Sequence, residues 1–271
     1  MMGSVAYGVS TDLSDTDIYG FCIPPKDWVF PHLRGEIVGF GNQKKRFEQW
    51  QEQHIHADDN RSYDLSIYSI VQYFQLCMGA NPNMIDSLYT PLNCVTHATS
   101  IGHMVRENRN MFLSKKIYHT ARGYAFSQMA GMDRAAPKAG RRELVERLGF
   151  DTKAAYHTIR LMDEAEQALS TGTIDLQRAK EVLKAVRQGL WSKEQVKEYF
   201  FRQEKYLEEL YQSTDILPYA PDEDAIKGLL LACLEEHYGS LSQVVHVPGK
   251  EYAALEKIIE LATRALGHNG E

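Results

Sequence analysis

The chain has 271 residues, of which 44% are hydrophobic and 24% charged, and its formal net charge is −6. That is ordinary globular composition, and it excludes a disordered tail, a coiled-coil rod, a collagen and a small disulfide scaffold. No apolar run approaches the ~20 residues that span a bilayer, and Met1 to Tyr7 lacks the basic region and apolar stretch of a signal peptide. A cytoplasmic protein with no membrane partner is therefore expected, with about two domains or one large one.

In chain order, Asp17 to Ile23 is rich in β-formers and is stopped by Pro24-Pro25, which predicts a strand. Gly35–Phe40 and Arg46–His56 are weaker strand candidates. Between them, Asn42-Gln43-Lys44-Lys45-Arg46 sets cations beside Phe47 and Trp50, a combination that can stack bases. The simpler reading is an exposed loop leading into a strand with core aromatics. His54 and His56 would share one face of that strand. With no third ligand at a recognisable spacing, they read as surface or core histidines rather than a metal site. Ser62 to Ile67 predicts another strand, running into a helix from about Tyr68 to Met78 with Val71, Phe74 and Met78 buried. Gly79-Ala80-Asn81-Pro82 ends it.

From residue 97 onward nearly every segment reads as helix. Asp151 can cap a helix that runs to Ser170 and ends near Gly172. Others follow over 177–188, 192–213 after Ser192, 222–238 after Pro221, and 249–266. The fold expected is α+β, a small mixed-sheet domain over residues 1–100 followed by an all-α domain over 101–271.

Charge is uneven along the chain. Residues 105–147 hold ten Lys/Arg and four acids, so this segment is +6 and the rest −12. A local anionic ligand fits that pattern better than the coating of a long duplex. The cysteines Cys22, Cys77, Cys94 and Cys233 form no C-x-x-C pair and read as reduced, mostly buried thiols.

The stretch that carries chemistry runs from Gly3 to Asp17. Gly3-Ser4 offers bare backbone, N–H groups and a hydroxyl that can approach a triphosphate. Asp15 and Asp17 are two apart on a strand, so both carboxylates project from one face. Hard oxygen ligands on one face suit Mg²⁺. A two-metal site needs a further carboxylate, which Asp64 could supply from the later strand. Farther on, Lys153, His157, Arg160 and Glu164 fall on one helical stripe, opposite Ala155, Ile159 and Met162. The plain alternative for that stripe is a solvated face of salt-bridged pairs. Asp86 reads equally as a site residue or a helix cap.

The pattern G-S-x-A-Y-G-x-S-T-x-x-S-D-x-D over residues 3–17 resembles the signature of the DNA polymerase beta-like nucleotidyltransferases. Within that superfamily it is similar to the RNA-ligase-associated branch (RlaP), found in bacteria and phages. The likeness continues through Tyr63-Asp64-Leu65-Ser66-Ile67-Tyr68, the turn Gly79-Ala80-Asn81-Pro82-Asn83, and Gly149 to Leu161, covering residues 1 to about 240. In that fold the Gly-Ser turn follows a core strand, whereas Met1 and Met2 alone precede it here; either the start lies too late or another segment fills the gap.

The resemblance implies a nucleotidyltransferase that uses two Mg²⁺ (or Mn²⁺) ions held by Asp15, Asp17 and Asp64. It implies an NTP bound by Gly3, Ser4, Lys153, His157 and Arg160, and an RNA or tRNA end as acceptor. A protein or small-molecule acceptor would use the same chemistry. The alternative class is a non-catalytic nucleotide- or partner-binding module of an RNA-repair or phage system. Neither the preferred base nor the oligomeric state is legible.

Overall fold

The computed structural model describes residues 1–10, 16–56, 62–133, 142–241, 257–259 and 261. A one-turn helix α1 (Gly3–Ala6) precedes strand β1 (Thr16–Cys22), which ends before Pro24-Pro25 as the sequence predicts. A short helix α2 (Lys26–Val29) and a 3-10 turn, Pro31–Arg34, follow. Gly35–Phe40 forms no strand. Gly35, Gly39 and Gly41 hold φ of 77°, 85° and 67°. Those values turn the backbone out of extended conformation. Strands β2 (Gln49–His56) and β3 (Ser62–Ser69) complete a three-stranded sheet of order β1-β3-β2. In it β1 runs parallel to β3 and β2 antiparallel.

β3 passes directly into α3 (Ile70–Met78), capped by Ser69, whose Oγ accepts from the Gln72 N–H at 3.2 Å. This cap satisfies an amide that the first turn leaves open, and it fixes the phase of the helix. Ile70, Tyr73, Phe74 and Cys77 are buried, and Val71, expected inside, is exposed. Ala80 takes a left-handed φ of 52° at the break. Asn81 then caps α4 (Pro82–Tyr89), with Pro82 in its first turn. The helices α5 (Ser100–Glu107), α6 (Lys116–Gly131) and α7 (Arg142–Leu148) lead to the long α8 (Thr152–Thr171). Asp151 caps α8 through the Lys153 N–H at 2.8 Å, and left-handed Gly172 ends it. Then come α9 (Lys180–Arg187), α10 (Lys193–Ser213), which starts in a Ser192/Gln195 capping box, and α11 (Glu223–Tyr238). The expected 249–266 helix falls mostly outside the described residues; 257–259 and 261 are helical.

The fold is thus α+β, a small sheet followed by a helical bundle in which α6, α9 and α10 pack around α8. Among the described residues no helix is long and apolar enough to cross a membrane. All four cysteines are free thiols, three of them buried and Cys22 half-buried. The compact units do not part near residue 100. One comprises Met1–Cys22 with Glu48–Cys233, and the other Ile23–Phe47 with Leu234–Glu271. Sheet and bundle share the first unit because polar contacts tie them together.

The central tie is buried. Tyr7, just after α1, donates its hydroxyl to Asp86 Oδ2 of α4 at 2.5 Å. Arg160 of α8 pairs with the same carboxylate, hydrogen-bonds the Tyr7 oxygen, and lies 4.5 Å over the Tyr7 ring. Its Nη1 is 3.6 Å from Glu164. The stripe, whose plain alternative was a solvated face, dives inward from His157 to Glu164, because α8 is wrapped by its neighbours. The segment after α1 is held twice more. Gln177 donates to the Ala6 carbonyl at 3.1 Å, and Arg187 to the Val9 carbonyl at 2.6 Å.

Burial pushes the Glu164 carboxyl well up, and although Arg160 pulls it down, the Asp86 charge adds to the rise. Glu164 thus favours its neutral form in the fold, and the stability this contributes is lost as pH rises through the raised value. Two outcomes follow in urea unfolding. Arg160→Ala, which strands Asp86 in the interior, should cost about 3–5 kcal/mol. Glu164→Gln removes this titration and should flatten the fall in stability as pH rises from the ordinary carboxylate range through the raised value.

Candidate active site

The register of the parallel pair decides the site. Asp17 of β1 stands directly opposite Asp64 of β3. Paired positions on adjacent parallel strands share a face, and the strands lie about 4.8 Å apart. Two carboxylates that are distant in sequence are therefore neighbours. Tyr19, two residues beyond Asp17 on the same face, senses both. Burial pushes its phenol up to about 12, with the charges of Asp17 and Asp64 adding to the push. Asp15 lies outside the described residues.

The Gly-Ser turn is seated on this pair. The Met2 N–H donates to the Asp17 carbonyl at 2.6 Å, which lays the start of α1 against β1. Gly3 holds φ of 59°, and a Cβ built there would overlap the Asp17 carboxylate oxygen. Only glycine satisfies both the backbone and the close approach. Ser4 is buried and its carbonyl accepts from Val9 at 2.9 Å. The opening amides of any helix lack an intrahelical acceptor, so donors gather at this end of α1.

One contact to the pair, made by His54, was not legible in the sequence. The β2–β3 ladder shifts register between Glu52 and Ile55, and His54 in this bulge has φ of 58°. Its backbone N–H donates to Asp64 Oδ1 at 2.9 Å, and its Nδ1 lies 3.9 Å from the same oxygen. The bulge breaks the simple alternation that would set His54 and His56 on one face. Nothing in the local composition announces it.

Lys153 and His157, near the start of α8, line a recess with Asn83, Tyr124 and Gln128. Its lining comes from α4, α6, α8 and the cap residue Asp151. Arg160, expected on the phosphate-binding face with Lys153 and His157, also borders this recess but is buried and paired with Tyr7, Asp86 and Glu164. Several cations of segment 105–147 have partners within the chain, Arg122 at the surface. Arg106 bonds the Thr90 carbonyl, Lys115 is buried over Tyr219, and Arg122 pairs with Glu204.

Among the described residues no three His, Cys, Asp or Glu side chains converge on one point. What the site presents is a pair of hard carboxylates with a glycine cradle against one of them, a donor set suited to Mg²⁺ or Mn²⁺ rather than to a softer metal. Beside it, Tyr19, Phe21, Tyr73, Met2 and Arg106 border a cavity of about 190 Å³.

Substitutions at two positions probe this geometry. Gly3→Ala should destabilise the fold by about 1–3 kcal/mol in thermal unfolding, since it adds both left-handed strain and a clash. His54→Gly keeps the amide that holds Asp64 and relieves strain of about 1 kcal/mol, so it should be neutral or stabilising. His54→Pro removes that amide and should destabilise.

The family model for RlaP, the RNA repair pathway DNA polymerase beta family, matches residues 1–199. No curated protein and no solved structure matches the chain. With most of its length matched, including both carboxylates and the Gly-Ser turn, the chain belongs to this RNA repair pathway DNA polymerase beta family.

Proposed function

We propose that this member of the RNA repair pathway DNA polymerase beta family transfers a nucleoside monophosphate from an NTP to the hydroxyl of an RNA or tRNA end. The observation that carries the reading is the side-by-side register of Asp17 and Asp64 beneath the Gly3 turn. A pure binding module has no use for two like charges at paired strand positions, which repel. That favours catalysis over the non-catalytic alternative.

Asp17 and Asp64, joined by Asp15 on the sequence pattern, would hold two Mg²⁺ or Mn²⁺ ions. When bound, such ions neutralise triphosphate and pyrophosphate charge and lower the pKa of an attacking hydroxyl. The chain's own part is positioning. The Gly3 and Ser4 amides are the candidate donors to the β- and γ-phosphates. Asp64, aimed by the His54 amide, is the candidate acceptor of the hydroxyl proton. Attack on the α-phosphorus forms the new ester and breaks the α–β bridge, releasing pyrophosphate. Most of the acceleration is orientation and fixed electrostatics, as in other phosphoryl transfers. Phosphate contacts by Lys153 and His157 rest on the family resemblance; Arg160 serves the architecture.

Mg²⁺ with NTP should raise the melting temperature of the parent, and Asp17→Asn or Asp64→Asn should abolish the rise. Pyrophosphate release on adding bulk tRNA should fall at least a hundredfold in the same variants. A parent that shows the shift without pyrophosphate release would support the binding-module alternative. Variants that behave like the parent would remove the site assignment.

A further inference from the structure

We infer that the loop over residues 35–46 is a seat for single-stranded RNA, with Phe40 stacking on a base and Lys44, Lys45 and Arg46 holding the backbone. This deepens the RNA-acceptor reading above and rests on it. The loop is built rather than loose. The Gln43 side chain works as an internal peptide group. Its Nε2 donates to the carbonyls of Ile37 at 3.2 Å and Phe40 at 2.8 Å, and its Oε1 accepts from the Gly39 N–H at 3.2 Å. Left-handed Gly39 and Gly41 allow the chain to fold around it.

The result is an ordered tip that shows its apolar side chains to solvent. Ile37 is 66% exposed, Val38 68% and Phe40 77%. Lys44, Lys45 and Arg46 follow after Gly41-Asn42-Gln43, all exposed, and Glu36 is the one acid of residues 35 to 46. An aromatic face beside consecutive cations matches the two recurring features of single-stranded nucleic acid, a stackable base and a phosphate. The charge complementarity selects a polyanion, and the exposed ring selects unpaired bases over a duplex, whose bases are already stacked. An apolar tip with cations could also meet an anionic membrane surface, so the test carries that arm.

The experiment is fluorescence anisotropy of a labelled single-stranded RNA of about twelve nucleotides with the full chain, over a salt series. Phe40→Ala should weaken binding roughly five- to a hundredfold. The triple variant Lys44→Ala/Lys45→Ala/Arg46→Ala should reduce the slope of log affinity against log salt by about 2. Gln43→Ala keeps every charge and should also weaken binding, since it frees the tip. All these positions are exposed, and an unchanged melting temperature confirms that each variant folds. RNA affinity equal in parent and variants, or no RNA binding by the parent, overturns the inference. Tighter capture by phosphatidylserine vesicles than by RNA, lost in Phe40→Ala, overturns it in favour of a membrane. A parent that still shows the Mg²⁺–NTP melting shift in either case retains the transfer reading; loss of that shift as well removes both.

Discussion

Two like charges face each other across adjacent parallel strands, and the rest of the molecule is arranged around that juxtaposition. Asp17 and Asp64 share a face only because β1 and β3 pair in one register. A slip by one residue would turn one carboxylate to the opposite face. The register is held from both sides. Seven consecutive pairs from Thr16–Tyr63 to Cys22–Ser69 fix β1 on β3. The β2 bulge then presents the His54 amide to Asp64. Repulsion between the acids is the cost of the arrangement, and a hard cation would relieve it.

The helical half of the chain serves this site by placing the Gly-Ser turn. Tyr7, Ala6 and Val9 are gripped by Asp86 with Arg160, by Gln177 and by Arg187, so the bundle holds the segment that lies against Asp17. Buried ion clusters are weak contributors to net stability but strong specifiers when one member is removed. Here the cluster specifies where the first turn of the chain sits. This explains why sheet and bundle form one compact unit although the composition changes sharply near residue 100. It also gives Arg160 and Asp86 a positioning role, apart from the reacting groups.

Local signals were legible wherever local physics decides. Pro24-Pro25 stops β1, Asp151 and Gly172 bracket α8, and Ser192 opens α10. The carboxylates and the Gly-Ser turn were legible as residue types because metal and phosphate chemistry admits few alternatives. Features decided by tertiary packing were hidden. The Arg160 stripe has the same spacing whether α8 is a surface helix or a central one, and only its packed neighbours make it central. The burial phase of α3 turned on where Ser69 caps it. The loop at 35–46 has strand-like residues, and its glycines and Gln43 override them. A bulge such as the one at His54 leaves no trace in composition, because any residue can occupy it at modest strain.

The central claim is that Asp17 and Asp64 act as one ligand set. The direct test is a Mn²⁺ titration, followed by the electron paramagnetic resonance of the free ion, on the parent, Asp17→Asn, Asp64→Asn and the double variant. A joint site predicts that each single change removes most of the affinity and that the double variant binds no worse than either, a strongly non-additive cycle. Losses that simply add, or single variants that bind Mn²⁺ as the parent does, would contradict it.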